Sequence, residues 1–389
     1  MAPQHAAGGT PRLRKVMILA GEASGDAHGA RVAREIRRRW PGAEMVGLGG
    51  QGMAGEGVRL LSGLDDLAVM GFVEVLRRVP FFRRLEKRLV RLLREEPPDL
   101  VIPIDYPGLN LRIAAHAARL AIPVLYYIGP QVWAWRAGRA ERLSRLAGRI
   151  AVILPFEAPL YRAHGGRAHF VGHPLLDTET DADPASLARG LGVEPGRPVL
   201  ALFPGSRAQE LRRHADPFAG TAHELQGRMP DLAVIVSKVS SLPDSAYRSF
   251  PFPTTEDAHA LRALATAGLV KSGTSTLEAA LAEMPFAVAY ITHPVTYFLA
   301  RRLVRVPHVA LANLVAGDRV VPEFIQRDMK PVVVADALEP LLDRSSAERG
   351  AMITGLRKIR RELGSPGASA RMVDLAEELL RETAAGAGN

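Results

Sequence analysis

The stretch LVKSGTSTLE, residues 269–278, joins a short apolar run to the start of a helical pattern through a turn rich in hydroxyl groups. We predict a strand over Leu269–Lys271 and a helix over Thr276–Glu283. Backbone N–H groups and the positive end of the helix dipole at such a turn suit an anion. A capping turn without a ligand is the alternative. The candidate ligand contacts, with the glutamate as an acceptor for ribose hydroxyls, are Ser272, Gly273, Thr274, Ser275, Thr276 and Glu278.

A second stretch, FPGSRAQE at residues 203–210, repeats this arrangement. It follows a predicted strand, Pro198–Phe203, and precedes a predicted helix, Leu211–Arg228. Gly205 allows a tight turn, and Ser206 can cap the helix. Arg207 can bind a phosphate through two N–H groups, and the charge of Glu210 suits the helix dipole. Either turn alone could be an ordinary strand–helix connection. Two of them in one sheet favour a phosphate-binding site.

Short apolar strands alternate with helical segments along the chain, which is typical of parallel βαβ units. Besides those already named, the predicted strands are Lys15–Ala20, Glu44–Leu48, Asp99–Ile104, Pro123–Ile128, Arg149–Leu154, Ala168–Val171, Leu232–Ser237 and Phe286–Tyr290. A helix is predicted over His28–Trp40, and another follows Ile104 and runs through Arg119. The fold class is therefore α/β, with two Rossmann-like domains whose parallel sheets face each other across a cleft that binds ligands.

The chain has 389 residues, more than one hydrophobic core usually serves, so two domains are expected. An acidic segment punctuated by proline and glycine, Thr178–Pro198, predicts the linker and a short helix. We expect an N-terminal domain over residues 1–177, a C-terminal domain over 178–365 and a final helical segment in 366–389.

Composition limits the classes of function. Hydrophobic residues make up 47% and charged residues 23%, as in an ordinary globular protein. The absence of cysteine excludes disulfides, thiolate metal sites and cysteine nucleophiles. A net charge of +9 favours anionic partners, although arginine enrichment through GC-rich coding is an alternative. Without an apolar run of about 20 residues or the hydrophobic core of a signal peptide, we expect a cytoplasmic location.

Polar residues crowd the turn after the first predicted strand, where residues 21–29 read GEASGDAHG. The carboxyl edge of the sheet at this turn would hold a second substrate. Asp105 directly follows the strand Asp99–Ile104 and is the candidate general base. An aspartate at a strand end also commonly caps the next helix, and both interpretations stay open on the pattern alone.

Three other patterns predict no site. GLGGQG at residues 47–52 matches GxGxxG, but further glycines follow and the acidic residue expected downstream is poorly placed. Asp181 and Asp183 resemble a metal-binding pair, yet they lie among other acids and prolines in the linker. The histidines show no ligand spacing such as HExxH, so neither a metal nor another cofactor is expected.

A basic amphipathic helix is predicted over Phe81–Arg94, with Pro80 at its start and Pro97 after its end. Leucines and Phe82 share one face, and arginines and a lysine occupy most of the rest. Such helices can lie on anionic membrane surfaces. A helix packed on the sheet with its arginine face in solvent is an equally good interpretation of the pattern.

Together these segments resemble the lipid-A-disaccharide synthase family of glycosyltransferases. The matching strings, in family order over residues 15–330, are AGEASGDAHG (20–29), MGFVEV (70–75), IDYPGLNL (104–111), YYIGPQVWAWR (126–136), LPFE (154–157), FVGHPL (170–175), PGSRAQE (204–210), SGTSTLE (272–278) and ANLVAGDRVVPEFIQ (312–326). The departures are few. An aspartate that often stands three residues after Asp105 is replaced by Gly108, and Gly129 replaces a common serine.

The resemblance implies a GT-B fold and an inverting, metal-independent transfer. UDP-2,3-diacylglucosamine would donate its sugar to 2,3-diacylglucosamine 1-phosphate (lipid X), giving the β-1,6-linked disaccharide 1-phosphate and UDP. Asp105 would be the base, Arg207 and the Ser272–Thr276 turn would stabilise departing UDP, and Glu278 would hold the ribose. Further donor contacts would be Asn313, Glu323 and Gln326. Residues of the acceptor site and cleft would be Glu22, Ser24, Asp26, His28, Asn110, Gln131 and Trp133.

Both substrates implied by the resemblance carry acyl chains, so it also favours peripheral contact with the cytoplasmic face of the inner membrane. The N-terminal domain would bind the acceptor and face the membrane, and the C-terminal domain would bind the UDP-sugar. In GT-B folds the last helix commonly crosses back to the N-terminal domain. Contact with the membrane would come from Phe72, Phe81, Phe82, Arg83, Arg84 and Lys87.

Other functions predict different observations. A peptidoglycan glucosaminyltransferase or a UDP-N-acetylglucosamine 2-epimerase would share the fold, but the epimerase would release UDP without an acceptor. A nucleic-acid-binding protein would need aromatic residues interleaved with arginine on its surface. Trp133 and Trp135 lie among apolar residues instead, so no nucleic-acid partner is expected. The pattern leaves the oligomeric state open.

Overall fold

The computed structural model describes residues 11–64, 72–130, 138–178, 182–294, 297–298, 302 and 306–386, with the side chains of 72–78 left out. Gln131, Trp133 and the side chain of Phe72 therefore lie outside the described residues. The described chain divides into two compact units. One extends to Asp177 and includes the chain from Ser365 onward, and the other is Thr178–Gly364.

The first unit contains a seven-stranded parallel sheet in the order β3-β2-β1-β4-β5-β6-β7. Its strands are β1 (Lys15–Ala20), β2 (Glu44–Leu48), β3 (Arg59–Ser62), β4 (Leu100–Ile104), β5 (Leu125–Tyr127), β6 (Arg149–Val152) and β7 (Ala168–Phe170). Its helices are α1 (Ala23–Arg39), α2 (Gln51–Gly55), α3 (Phe72–Glu95), α4 (Pro107–Arg119), α5 (Gly138–Leu146), α6 (Glu157–Arg162) and, at the C-terminus, α14 (Ala368–Gly386).

Alternating residues of the central strands supply two separate cores in this unit. Ile18 and Ile102 pack with residues of α1 and α14 on one face. Met17 and Val101 pack with residues of α3 and α4 on the other. The strands are therefore apolar on both faces, as parallel sheets covered by helices require.

The C-terminal helix α14 is attached to the first unit by ion pairs as well as by packing. Arg39 at the end of α1 lies 2.7 Å from Asp374 and 2.9 Å from Glu377. Arg149 of β6 pairs with Glu382 near the end of α14. This helix therefore covers the sheet formed by the N-terminal part of the chain.

The second unit contains a six-stranded parallel sheet in the order β10-β9-β8-β11-β12-β13. Its strands are β8 (Val199–Phe203), β9 (Ala233–Ser237), β10 (Thr254–Thr255), β11 (Ala267–Lys271), β12 (Phe286–Tyr290) and β13 (Glu323–Ile325). Its helices are α7 (Pro184–Gly190), α8 (Ala208–Arg228), α9 (Ala258–Leu264), α10 (Ser275–Leu281), α11 (Leu311–Ala316), α12 (Pro331–Leu342) and α13 (Ala347–Glu362).

Both sheets reverse their strand order beside their first strand, as in the Rossmann arrangement. The reversal lies between β1 and β4 in the first unit and between β8 and β11 in the second. Crevices that bind ligands form at the carboxyl ends of such strand pairs. The predicted α/β class with two parallel sheets is confirmed.

Helix α1 begins at Ala23, five residues before the predicted start at His28. Its small residues permit close packing, which outweighs their weak helix propensity. A Cβ on Gly25 would lie 3.3 Å from the Cβ of Ala20, and one on Gly29 would lie 2.5 Å from the sulfur of Met53. The predicted turn GEASGDAHG is therefore mostly the first two turns of a helix.

Helix α3 is longer than predicted, because it starts at Phe72 and continues through Pro80. The prediction that the helix starts at that proline is wrong. A proline inside a helix removes one backbone hydrogen bond but does not always end the helix. No helix in the described part of the chain is both long enough and apolar enough to cross a membrane.

Candidate active site

The two turns predicted to bind phosphate are neighbours in the second unit. Strands β8 and β11 pair in parallel, with Phe203 opposite Val270, so both turns leave the same edge of the sheet. Gly205 has a φ of +120° and Gly273 a φ of +150°, values that favour glycine. Ser206 and Arg207 are exposed at this edge. The pairing places the predicted phosphate contacts at the reversal of strand order.

An ion pair that sequence reasoning missed joins these turns. The Glu210 carboxylate accepts a hydrogen bond from the backbone N–H of Ser206 at 3.1 Å and lies 2.8 Å from the Nζ of Lys271. Burial by itself raises the pKa of Glu210, but the Lys271 ammonium and the hydrogen bond from Ser206 hold it below its ordinary value. The lysine ends strand β11, and a cation at that edge was the available signal. Glu210 thus connects the turn after β8 to the end of strand β11.

The hydroxyls of the second turn have different surroundings. Ser272 Oγ donates to the carbonyl of Val309 at 3.0 Å, and Thr276 Oγ1 donates to the carbonyl of Gly273 at 2.8 Å. Both residues are buried, whereas Thr274 is exposed and Ser275 is half-buried. Ser272 and Thr276 therefore stabilise the turn. The side chains of Thr274 and Ser275 remain accessible to a ligand.

Glu278 pairs with Arg262 of α9, a residue that no sequence motif indicated. Arg262 is 6% exposed and its guanidinium lies 4.9 Å from the centre of the Phe203 ring. Burial lowers the pKa of Arg262, and the charge of Glu278 opposes that effect. The predicted ribose acceptor is thereby held in one orientation beside the end of β8.

Asn313 is not available to a substrate, contrary to the sequence prediction. It is fully buried, its Nδ2 donates to the carbonyl of Val321 and to Glu323, and its Oδ1 accepts from the N–H groups of Val320 and Val321. These four bonds use the hydrogen-bonding capacity of the amide. Asn313 therefore supports the backbone that leads into β13.

Glu323 and Gln326 also have partners within the chain. Glu323 accepts from the N–H groups of Val309 at 2.9 Å and Ala310 at 3.0 Å, just before α11. Gln326 accepts from the N–H of Thr292 at 2.7 Å and donates to its carbonyl at 3.2 Å. Both side chains hold loops at the carboxyl edge of the sheet, and Gln326 remains half-buried there.

His214 is a third residue that no sequence motif indicated. Its Nδ1 lies 2.8 Å from the carbonyl of Glu210, and its Nε2 accepts from the N–H of Ile291 at 3.1 Å. Burial lowers the pKa of His214, so the neutral ring with a proton on Nδ1 fits both bonds. It connects helix α8 to the segment after β12.

In the first unit, Asp105 follows β4 at the reversal of strand order, next to the end of β1. Asp105 and Tyr106 have positive φ values of 44° and 46°, which are costly for residues other than glycine. The Asp105 carbonyl accepts from Asn110 Nδ2 at 2.8 Å and from the hydroxyl of Tyr126 at 2.7 Å. Both donors are buried. The backbone is thus held in a strained conformation by side chains beneath it.

This arrangement corrects the role predicted for Asn110. Its Nδ2 also lies 3.2 Å from the carbonyl of Leu19 and 3.1 Å from that of Ile104. It therefore ties the ends of β1 and β4 together and does not face a substrate. The ring of Tyr106 packs on Gly21, where a Cβ would lie 2.3 Å from the ring.

Asp105 is exposed as a residue, although its carboxyl group is partly buried by the surrounding protein. Burial raises the pKa of Asp105 to about 6, the charge of Glu22 adds to this effect, and a backbone hydrogen bond from Tyr106 opposes it. A carboxyl group with a pKa near neutrality is suited to proton transfer. Glu22 and Ser24 are both exposed near the start of α1.

Asp26 is a structural residue, not a substrate contact. One carboxylate oxygen accepts from the N–H groups of Gly50 at 2.7 Å and Met53 at 3.0 Å, and the other accepts from Gly52 at 3.0 Å. The GLGGQG turn therefore binds an anion supplied by the chain itself. This explains why α2 forms where the glycine content predicts a poor helix.

His28 lies deeper than predicted for a residue of the acceptor site. Its Nδ1 is buried without a hydrogen-bond partner among the described residues, and its ring contacts Tyr127 edge-on at 6.3 Å. Burial and the charge of Arg31 lower the pKa of His28 to about 4. Burial and the charge of His28 lower the pKa of His173 to about 4 as well. Both rings are neutral at pH 7.

The basic helix α3 uses its apolar face within the protein. Leu85, Leu89 and Leu93 belong to the core, and Phe81 and Phe82 are half-buried against it. The cationic residues on the outer face, all exposed, are Arg83, Arg84, Lys87, Arg91 and Arg94. The helix therefore has the second of the two structures that the sequence allowed, a sheet-packed helix with a solvated basic face.

The chain also matches known proteins in sequence and in fold. Residues 16–369 match the family model described as lipid-A-disaccharide synthetase. Lipid-A-disaccharide synthases of Anaeromyxobacter dehalogenans strain 2CP-C and Geobacter sulfurreducens are 39% and 40% identical to the chain. These matches cover 95% and 94% of this chain and 98% and 97% of those proteins.

Among solved structures, the calicheamicin glycosyltransferase CalG4 matches with a TM-score of 0.61 at 18% identity, over 96% of this chain and all of that one. The UDP-GlcNAc 2-epimerase of Neisseria meningitidis bound to UDP-GlcNAc matches with a TM-score of 0.64 at 12% identity, over 94% and 100%. These likenesses show the GT-B fold. Because the sequences agree over nearly the whole chain, the chain belongs to the lipid-A-disaccharide synthase family.

Proposed function

We propose that this protein transfers the sugar of UDP-2,3-diacylglucosamine to the 6-hydroxyl of 2,3-diacylglucosamine 1-phosphate (lipid X). The products are the β-1,6-linked disaccharide 1-phosphate and UDP. The match to the family over residues 16–369, with each proposed reacting group at the edge of a parallel sheet, is the observation that carries the proposal. The acceptor oxygen attacks the anomeric carbon as the bond to UDP breaks, so one direct displacement inverts an α-linked donor.

Asp105 is the proposed base, which takes the proton of the acceptor hydroxyl during the attack. Its position after β4 and its pKa of about 6 support this role, because a base that is mostly ionised at pH 7 can still accept a proton. Asn110 and Tyr126 are positioning residues, since they bond to the backbone of Asp105 and not to a substrate.

The second unit is proposed to bind UDP. The exposed Arg207 guanidinium and the groups at Ser206, Thr274 and Ser275 offer donors for the diphosphate. Glu278, oriented by Arg262, is proposed to accept hydrogen bonds from the ribose. Stabilising the departing UDP with fixed cations and N–H groups requires no metal ion.

Turnover of the two acylated sugars in detergent tests the reaction directly. We expect stoichiometric UDP and disaccharide 1-phosphate, with unchanged rates when a chelator is added. Asp105→Asn should reduce kcat by about 10²-fold or more while the protein remains folded. UDP release without an acceptor would indicate an epimerase-type reaction and contradict the proposal. Near-normal turnover by folded Asp105→Asn would reject the base assignment.

We also propose that the basic face of α3 contacts an anionic membrane surface electrostatically. Arg83, Arg84 and Lys87 are exposed, whereas the leucines of the same helix are committed to the core. Each lysine or arginine near such a surface contributes about 1 kcal/mol. Binding should therefore be lost as salt increases, which shallow insertion of an apolar face would resist.

Sedimentation with phosphatidylglycerol vesicles at low and high salt tests this contact. The triple variant with glutamine at Arg83, Arg84 and Lys87 should bind weakly at low salt. A variant with glutamine at three exposed arginines of the second unit is a control with the same change in net charge: Arg344, Arg360 and Arg361. Equal loss of binding in both variants would show that net charge alone, not this helix, determines the interaction.

A further inference from the structure

The carboxylate of Glu210 gathers groups from both turns proposed to bind the diphosphate. The N–H of Ser206 donates to Oε2 at 3.1 Å, and Nζ of Lys271 lies 2.8 Å from Oε1. An Arg207 nitrogen lies 3.8 Å from the same Oε1. A backbone N–H, an ammonium and a guanidinium are the groups that bind phosphate oxygens in proteins. At this edge they converge on an anion belonging to the chain.

The contact with Lys271 is stronger than an ordinary surface ion pair. The side chains of Glu210 and Lys271 are only 16% and 19% exposed, whereas that of Arg207 is 62% exposed. Water therefore screens the lysine contact less than the arginine contact. The Lys271 ammonium pulls the pKa of Glu210 below its ordinary value, so the carboxylate is ionised at neutral pH.

Lys271 lies beside both turns, as the distances from their glycines show. A Cβ on Gly205 would lie 2.6 Å from Glu210 Oε2, so the first turn lies directly against the carboxylate. A Cβ on Gly273 would lie 3.8 Å from Lys271 Nζ, so the ammonium lies over the second turn. A diphosphate bound by these turns would therefore approach the same ammonium that Glu210 holds.

We infer that Glu210 competes with the diphosphate of UDP for Lys271 and for the N–H of Ser206. This inference rests on the proposed function, because it assumes that the two turns bind UDP. Lys271 is then a diphosphate-binding residue, and Glu210 weakens the binding of UDP. After sugar transfer, the carboxylate regains its partners as UDP departs, which favours product release.

The competing explanation is that Glu210 only braces the turn. Removing its charge would then loosen the turn and weaken UDP binding. Competition predicts the opposite sign for the same substitution, because Glu210→Gln keeps an oxygen acceptor for the N–H of Ser206 and removes the negative charge. Uridine has no phosphate, so competition leaves its affinity unchanged.

Calorimetric titration of the full-length protein with UDP and with uridine separates these explanations. We expect Glu210→Gln to bind UDP about tenfold more tightly than the wild type, which corresponds to about 1.4 kcal/mol. Lys271→Gln should bind UDP about tenfold more weakly, and both variants should bind uridine like the wild type. Glu224→Gln, on the same helix and paired with Arg228, is the control for a lost negative charge.

Each outcome has one interpretation. Unchanged or weaker UDP binding by folded Glu210→Gln would overturn the inference, as would equal tightening by Glu224→Gln. Failure of the wild type to bind UDP would instead reject the proposed function. Should Glu210→Gln not fold, Glu210→Asp gives a second test. Its side chain is one methylene shorter and should hold Ser206 and Lys271 less closely, so it should also tighten UDP binding, and no tightening would refute competition.

Discussion

The pH dependence of turnover offers the sharpest test of the proposed base. Since burial and Glu22 raise the pKa of Asp105 to about 6, about half of the carboxylate is ionised at pH 6 and about a tenth at pH 5. Only the ionised form accepts the proton, so kcat/KM should fall about tenfold between its plateau and pH 5. With the ordinary pKa of 3.8, more than about nine-tenths would be ionised at pH 5, and no such fall would be seen.

The proposed acceptor carries a phosphate that also titrates near pH 6, so the profile alone would not identify the group. Glu22→Gln resolves this ambiguity, because it removes the negative charge that helps to raise the pKa of Asp105 and leaves the substrate unchanged. The acidic limb of kcat/KM should then move to lower pH. Glu35→Gln, on the same helix and paired with Arg38, should leave the limb in place. Continuous measurement of UDP release from pH 5 to 8 gives these profiles. A limb that does not move in Glu22→Gln would refute the assignment.

Three further predictions concern other buried groups. Asp26→Asn should lower the free energy of unfolding by about 2 kcal/mol in urea titrations, because an amide oxygen cannot accept all three N–H bonds; an unchanged midpoint would contradict this. The pKa of His173 is about 4 in the folded protein and 6.5 unfolded, so its stabilising contribution is present above pH 6.5 and lost as the pH falls toward 4. Unfolding at pH 8 and pH 5 should show a loss of about 2 kcal/mol from this residue, which His173→Asn abolishes and the exposed His164→Asn does not. Arg262→Met should raise the KM for the UDP-sugar about tenfold with little change in kcat, because it frees Glu278, and a change in kcat alone would argue against ribose binding.

The elements of the fold could be predicted because they depend on local patterns. Five apolar residues before a glycine turn predict a strand such as Val199–Phe203 without knowledge of its neighbours. The strands that local sequence patterns did not predict, β3, β10 and β13, are short and lie at sheet edges. Helix α1 was shortened in the prediction because residues 23–29 have weak helix propensity. Their helical conformation depends on close packing against Ala20 and Met53, which no local pattern reveals.

The polar residues of the predicted site differ in whether they face solvent or the interior of the protein, and the sequence does not reveal this difference. Asp105 and Asn110 lie in the same motif, yet Asp105 is exposed and Asn110 is buried beneath the backbone. In the second unit, the roles of Asn313 and Arg262 are the opposite of those expected from the sequence. The predicted substrate contact is fully bonded within the chain, and an arginine outside every motif orients Glu278. Their distinction depends on which direction a side chain takes from the sheet edge, and tertiary contacts decide that direction.

Asp26 and Glu210 show how the same local device can serve two purposes. Each is an acid in the helix after a strand that accepts N–H groups of a glycine turn. Asp26 is 9% exposed and takes three N–H groups, so displacing it would leave a buried charge with no partner, at a cost of several kcal/mol. Glu210 takes one N–H group, is more exposed and relies on Lys271. A phosphate oxygen can replace that contact, because it is also an anionic acceptor for an ammonium and an N–H group. Because Asp26 accepts more hydrogen bonds and is more deeply buried, it stays bound to its turn. Glu210, with fewer bonds and less burial, can be displaced by a phosphate.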